Sequence, residues 1–276
     1  MTTIADTAPG TFTPSSRRDC STAGNATRAL LGYLALAGPF YVIVSLVQAF
    51  SRSGFDPVRH EWSLLAVGRL GWIQSANLIL TGAMTAAGAI GVRRALGRAG
   101  VGGTWAPRLL AGYGIALIGA GLFRADAADG FPPGTPTGRP GDTSWHGALH
   151  VLCGSVGFAC LIALCFVFAR SYTRGGSRLA GVAARVVGIV VLVAFAGIAT
   201  GAGNEAVNLA FTGAVIASYA WLTAVASDLY RRTRLDSTSA SRVARTDQFW
   251  TAWARVPLPG SGRVRPPRGA LKGVQP

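Results

Sequence analysis

Six apolar stretches, each about twenty residues long, constrain this chain more than any other feature. A helix needs roughly 20 apolar residues to cross a hydrocarbon core about 30 Å thick. Segments at about 29–50, 71–92, 107–124, 147–169, 179–200 and 207–229 meet that requirement. Only 13% of the 276 residues are charged, against about 25% in a soluble domain. Strands that cross a membrane alternate with period two in short segments. These segments do not alternate, so they predict helices. The third is the shortest and has Arg108 and Arg124 at its ends.

The net charge of +15 raises the question of nucleic acid, and its distribution answers it differently. Short cytoplasmic loops of membrane proteins accumulate Lys and Arg. With the N-terminus inside, 21 of the 26 basic residues fall on cytoplasmic segments. The five left outside are Arg52, Arg59, Arg69, Arg124 and Arg139. The expectation is an all-α integral membrane bundle of six transmembrane helices, with both termini in the cytoplasm. Its expected setting is the plasma membrane, with membrane lipids as partners and no nucleic acid. No short apolar core precedes a small-residue cleavage site, so the first helix is expected to act as its own insertion signal.

Three regions follow. Residues 1–28 read as a disordered cytoplasmic leader, 29–230 as the transmembrane domain, and 231–276 as a basic disordered tail with a charge of +8. Low hydrophobicity and high charge leave such a tail too little apolar surface to fold alone. It is either solvated or lies on anionic headgroups, a contact that Trp250 and Trp253 favour. Cys20 lies in the leader, and Cys153, Cys160 and Cys165 share one helix, so no disulfide is expected. Glycines punctuate the second, third and fourth helices, and small residues let membrane helices approach closely. A genome rich in GC, which also favours Arg over Lys, supplies the same glycines. No internal repeat of the transporter kind is evident.

All three histidines, His60, His146 and His150, fall on the outward face of this topology, with Asp56, Glu61, Asp126, Asp129, Asp142 and Glu205. His146 and His150 are four residues apart and share a helix face. Such a pair offers two imidazoles to one metal, and zinc takes further ligands from His, Asp or Glu. The candidate metal ligands are His146, His150, His60 and Asp126. Asp129 and Glu61 are the candidate catalytic carboxylates. The competing reading is structural: Arg59, Arg69 and Arg124 pair with Asp56, Asp126 or Asp129 and pin the loops to the bundle. Gln74, Ser75 and Asn77 in the second segment and Asn208 in the sixth either bond across helices or share in the site.

Three motifs carry a family resemblance. They are Phe55-Asp-Pro-Val-Arg-His-Glu-Trp-Ser-Leu-Leu65 followed by Gly71-Trp-Ile-Gln74, Phe123-Arg-Ala-Asp-Ala-Ala-Asp-Gly-Phe-Pro-Pro-Gly134, and Ser144-Trp-His-Gly-Ala-Leu-His150. Together they resemble the domain of unknown function 998 family, prokaryotic membrane proteins of about six helices. The resemblance spans roughly residues 30–230 and implies an integral membrane protein without an assigned activity. By chemistry alone, His146, His150, His60, Asp126 and Ser75 are also similar to the zinc-binding set of membrane hydrolases related to alkaline ceramidases and adiponectin receptors. Those proteins have seven spans. Two functions stay open. One is a metal-dependent hydrolase acting on a lipid-like substrate, with zinc lowering the pKa of bound water. The other is a non-enzymatic protein that binds a lipid, small solute or partner through its outward loops. Transport is the least favoured, because ionisable residues mark intramembrane pathways and none sits at mid-depth here.

Overall fold

A computed structural model describes residues 14–97, 100–138, 142–200 and 204–253. It contains six α-helices: α1 (Pro14–Ser51), α2 (Gly71–Leu96), α3 (Gly100–Leu122), α4 (Trp145–Arg174), α5 (Arg178–Ala199) and α6 (Glu205–Trp253). A short 3₁₀ turn, Trp62–Ala66, lies between α1 and α2. The described residues form no strand, only an isolated bridge between Ala128 and Phe131. Each apolar segment lies within one helix or nearly so, and several helices run further. α1 begins at Pro14, inside the expected leader, and α6 continues to Trp253, inside the expected tail. Residues 1–13 and 254–276 of those regions lie outside the described residues. The chain divides into two units, Met1–Arg234 and Leu235–Pro276. The packing and the site described below belong to the first.

Five helices are long and apolar enough to cross a membrane: α1 from Gly24, α2, α4, α5, and α6 as far as Leu235. Apolarity and burial run in opposite directions among them. The most apolar windows, in α4 and α5, are only 28% and 22% buried, whereas the least apolar, in α2, is 50% buried. A water-soluble bundle would hide its most apolar helices. Here Phe50, Val151, Leu179 and Val193 point away from the protein, as a surface bathed in hydrocarbon requires. α3 is not among the five. Trp105, Pro107 and Arg108 dilute its first two turns, and it packs between α2 and α4.

Contacts between helices are close because small residues line them. A Cβ on Gly82 of α2 would lie 2.5 Å from the Gly114 carbonyl oxygen of α3, and one on Gly121 would lie 2.8 Å from the Ser75 carbonyl. Across α3 and α4, the Cys160 and Cys153 sulfurs fill the grooves over Gly112 and Gly119. Cys153, Cys160 and Cys165 are free thiols. Lipid tails provide no hydrophobic drive for helix association, so van der Waals contact at such close approach supplies it.

A polar cluster fastens α1 to α2. The Gln74 side-chain oxygen accepts from the Gln48 amide at 2.8 Å and the Asn77 amide at 3.2 Å, and its own amide donates to Ser45 at 3.2 Å. Asn77 also donates to the Tyr41 carbonyl and to the Ser45 hydroxyl. Gln74, Asn77 and Ser45 are buried. The polar residues noted in the second segment therefore bond across helices, with Ser45 and Gln48 as their partners. Ser75 is different, since its hydroxyl is buried and has no partner among the described residues.

Candidate functional site

The two long loops, 52–70 and 123–144, meet at one end of the bundle. The first loop turns at Asp56, whose carboxylate accepts the Val58 N–H, and His60 folds back beneath that turn. The His60 Nδ1 accepts the Asp56 N–H at 2.9 Å. Its Nε2–H donates to the Asp129 carbonyl in the second loop, also at 2.9 Å. These partners fix the tautomer, because one nitrogen faces a donor and the other an acceptor. The buried ring packs against Phe55 and Phe131, with centroids 5.2 and 5.6 Å away. Pro133 and Pro132 sit over Gly54 and Gly68, two first-loop glycines at φ 79°, where a side chain would be strained and would strike the proline rings. Asn208 of α6 donates to the Pro57, Val58 and His60 carbonyls.

Arginine helps to hold this end, though its partners are carbonyls rather than carboxylates. The Arg52 guanidinium donates to the Leu65 and Val67 carbonyls and lies 5.0 Å over the Phe131 ring. Partial burial lowers its pKa from the ordinary arginine value. The expected pairing of Arg59, Arg69 and Arg124 with Asp56, Asp126 or Asp129 is not seen among the described residues. The ion contacts found there are Asp126 with His146 at 3.8 Å and Asp228 with Arg232 at 2.7 Å.

Asp126 caps α4. Its carboxylate accepts the Ser144 N–H at 2.9 Å and the Ser144 hydroxyl, while the Ser144 oxygen accepts the Gly147 N–H at 3.0 Å. A negative charge is stabilised at a helix N-terminus. Gly147 leaves the carboxylate its room, since a Cβ there would lie 2.0 Å from Oδ2. The Ser144 proton goes to Asp126, so the His146 Nδ1, 2.7 Å away, donates to the Ser144 oxygen. One turn later the His150 Nδ1–H is shared between the Ala120 and Phe123 carbonyls, both at 2.9 Å. In the neutral ring this leaves the lone pair on Nε2.

The six expected site residues therefore share one end of the fold but hold different positions. His60 uses both ring nitrogens and joins the loops. Asp126 and His146 both bond Ser144, the N-cap residue of α4. His150, Asp126, Asp129 and Glu61 line a single cavity. Glu61 accepts the Ser63 hydroxyl at 3.3 Å. No three of the described His, Cys, Asp and Glu side chains converge on a common point that could hold a metal. As placed, they do not fit a zinc ion.

The cavity has a volume of about 880 Å³, within the usual range for a small-molecule site. Glu61, Asp126, Asp129, Thr143 and His150 lie at its loop end. Leu78, Leu117, Phe158, Phe195, Phe211 and Val215 form its walls, and Tyr41, Tyr113 and Tyr219 lie deeper. Tyr41 is ten residues before the end of α1, and Tyr219 is fourteen after the start of α6. The first loop dips down to meet them, since the Trp62 ring lies 5.9 Å from that of Tyr41. The Tyr41 and Tyr219 rings are 4.9 Å apart, and those of Tyr113 and Tyr219 are 6.4 Å apart. The Tyr219 hydroxyl is buried beside these rings. Sequence reasoning passed over these tyrosines and Trp62. The available signal was a phenol in the middle of each of three apolar segments, since a buried Tyr hydroxyl ordinarily finds a partner.

This architecture, with its apolar exterior and several membrane-length helices, defines an α-helical membrane protein. The sequence pattern of the family described as protein of unknown function (DUF998) matches residues 35–228, and the chain belongs to that family. No curated protein and no solved structure matches it.

Proposed function

We propose that this protein is a six-span, plasma-membrane protein with both termini in the cytoplasm, and that it holds an amphiphilic, lipid-like molecule in the cavity at its outward end. The observation that carries this reading is the lining of that cavity. Carboxylates and an imidazole lie at the loop end, and a continuous apolar and aromatic wall leads to the buried tyrosines. A molecule with a polar head and a hydrocarbon chain matches both parts. Apolar pockets with a few convergent polar groups are the usual form of a ligand site. The test is to identify amphiphiles that copurify with the protein by native mass spectrometry, and to compare Leu117→Trp, which fills the cavity. A bound amphiphile lost in Leu117→Trp is the expected result. An empty wild-type protein, or retention in a variant that folds normally, removes the reading.

A second reading, hydrolysis of the bound molecule, draws on His150. Its Nδ1–H is held by two carbonyls, so Nε2 is left as an acceptor on a residue that lines the cavity. An oriented imidazole can take a proton from water or a hydroxyl. Asp129 and Glu61 line the same cavity and are the carboxylates assigned to share that work. His150→Gln should then abolish turnover while the ligand still binds. Equal product formation by the variant would remove His150 from the reaction.

A further inference from the structure

We propose that the cavity selects cationic amphiphiles, with Asp129 as the residue that recognises an ammonium head group. This rests on the cavity binding an amphiphile at all. The described lining residues include three carboxylates, Glu61, Asp126 and Asp129, and no Lys or Arg. Asp126 is committed to the cap of α4 through Ser144. Asp129 is in a different position, because its carboxylate has no hydrogen bond or ion pair among the described residues.

The backbone holds that carboxylate in place. Asp129 is at φ 55°, the one non-glycine residue with positive φ among those described. Its N–H donates to the Gly138 carbonyl at 2.9 Å, and its own carbonyl accepts from His60. An uncommon conformation fixed from both sides at a cavity edge points to a function for the side chain. Arg52, which could have supplied a counter-charge, is turned to the Leu65 and Val67 carbonyls.

One further feature points to a ligand. Trp62 and Tyr41 both line the cavity with ring centroids 5.9 Å apart, and aromatic faces attract ammonium groups. An anionic head would instead meet the Asp129 charge at close range.

The test uses three photoactivatable amphiphiles with the same alkyl chain and a trimethylammonium, maltoside or sulfonate head. The full-length protein is labelled in maltoside micelles. Labelling of peptides containing Tyr113 and Tyr219 is divided by labelling of the α5 peptide containing the exposed Val193. The ammonium probe should give a ratio at least tenfold above the sulfonate probe, with the maltoside between them. Asp129→Asn, which keeps a residue tolerant of positive φ, should shrink that difference to below threefold. A sulfonate ratio equal to or above the ammonium ratio overturns the proposal, as does an ammonium preference unchanged in Asp129→Asn. Either result leaves amphiphile binding intact. Absence of cavity labelling by all three probes removes amphiphile binding and this selectivity together.

Discussion

The Nε2–H of His60 donates to the backbone carbonyl of Asp129 at 2.9 Å, across 69 positions of sequence. This bond joins the two long loops and sets the place of the Asp129 carboxylate. His60→Ala would break it, release the Asp56 N–H and remove a ring packed between Phe55 and Phe131. The expected loss of stability is about 2–3 kcal/mol, from two part-buried hydrogen bonds and the packing. Unfolding of the micellar protein measures it, and limited proteolysis within 123–144 should accelerate. An unchanged unfolding midpoint and cleavage rate would show that the loops are joined by other contacts.

Asp129→Gly separates the side chain's role from that of its backbone. Glycine adopts φ 55° without the cost that a side chain incurs there. A non-glycine residue in this region is strained by about 1 kcal/mol or more. The variant should therefore be as stable as the wild type or up to about 1 kcal/mol more stable, while amphiphile binding weakens. Lower stability together with intact binding would make the carboxylate a structural group. Thermal unfolding and copurified ligand, measured on one preparation, give both readouts.

The helices were legible because bilayer thickness imposes a length and hydrocarbon imposes a composition, and both are written in consecutive residues. The outcome at the loop end was legible only in part. That Asp126, Asp129, His60 and His150 would lie at one end follows from counting spans. Their partners do not follow, because His60, His150, Arg52 and Asn208 all bond to backbone carbonyls, which carry no residue-type signal. Expecting Arg–Asp pairs favoured the visible charges over the invisible acceptors. The start of α3 at Gly100 was missed for a related reason: Trp105, Pro107 and Arg108 look like a boundary. Pro107 falls within the first eight residues of the helix, and Arg108 lies 5.5 Å from the Trp105 ring.

Gln74→Leu tests the cluster between α1 and α2. Hydrogen bonds between membrane helices contribute about 0.6 kcal/mol on average. Here one substitution removes the shared acceptor of Gln48 and Asn77 together with a donor to Ser45. The groups left buried without partners should raise the cost to about 2 kcal/mol. Gln48→Leu on its own should cost less, since Gln74 keeps Asn77 and Ser45. A double-mutant cycle in micelles should show coupling between positions 48 and 74. Strict additivity would mean that the two side chains act independently.

Gly82→Ala tests whether close approach, rather than genomic composition, explains the glycines. The new Cβ would sit 2.5 Å from the Gly114 carbonyl oxygen and 2.8 Å from Ile118. Backbone cannot yield as a flexible side-chain tip can, so α2 and α3 must separate, at an expected cost of about 2 kcal/mol or more. Gly213→Ala in α6 is the control, with nothing within 4 Å of its added methyl. Alanine is the better helix former by about 1 kcal/mol, so this variant should be neutral or slightly stabilised. Similar losses at both positions would refute the packing account.

The direction in which the bundle threads the membrane decides whether the cavity faces the cytoplasm or the exterior. Of the 26 basic residues, 21 lie on the segments placed inside, and orientation follows Lys and Arg rather than acidic residues. In the proposed topology the acidic loop end faces outward. Single cysteines at the exposed positions Asp142 and Arg174, in a background without the native thiols, should react oppositely with an impermeant maleimide in intact cells. Asp142→Cys should be labelled without lysis, and Arg174→Cys only after it. The reverse pattern would put the Asp129 cavity on the cytoplasmic side, where the amphiphile would have to be drawn from the inner leaflet. Labelling of both positions in intact cells would break the six-span count itself, because α4 starts near one position and ends at the other. In that case α4 would not cross the membrane, and the cavity that it lines could not be entered from a single leaflet.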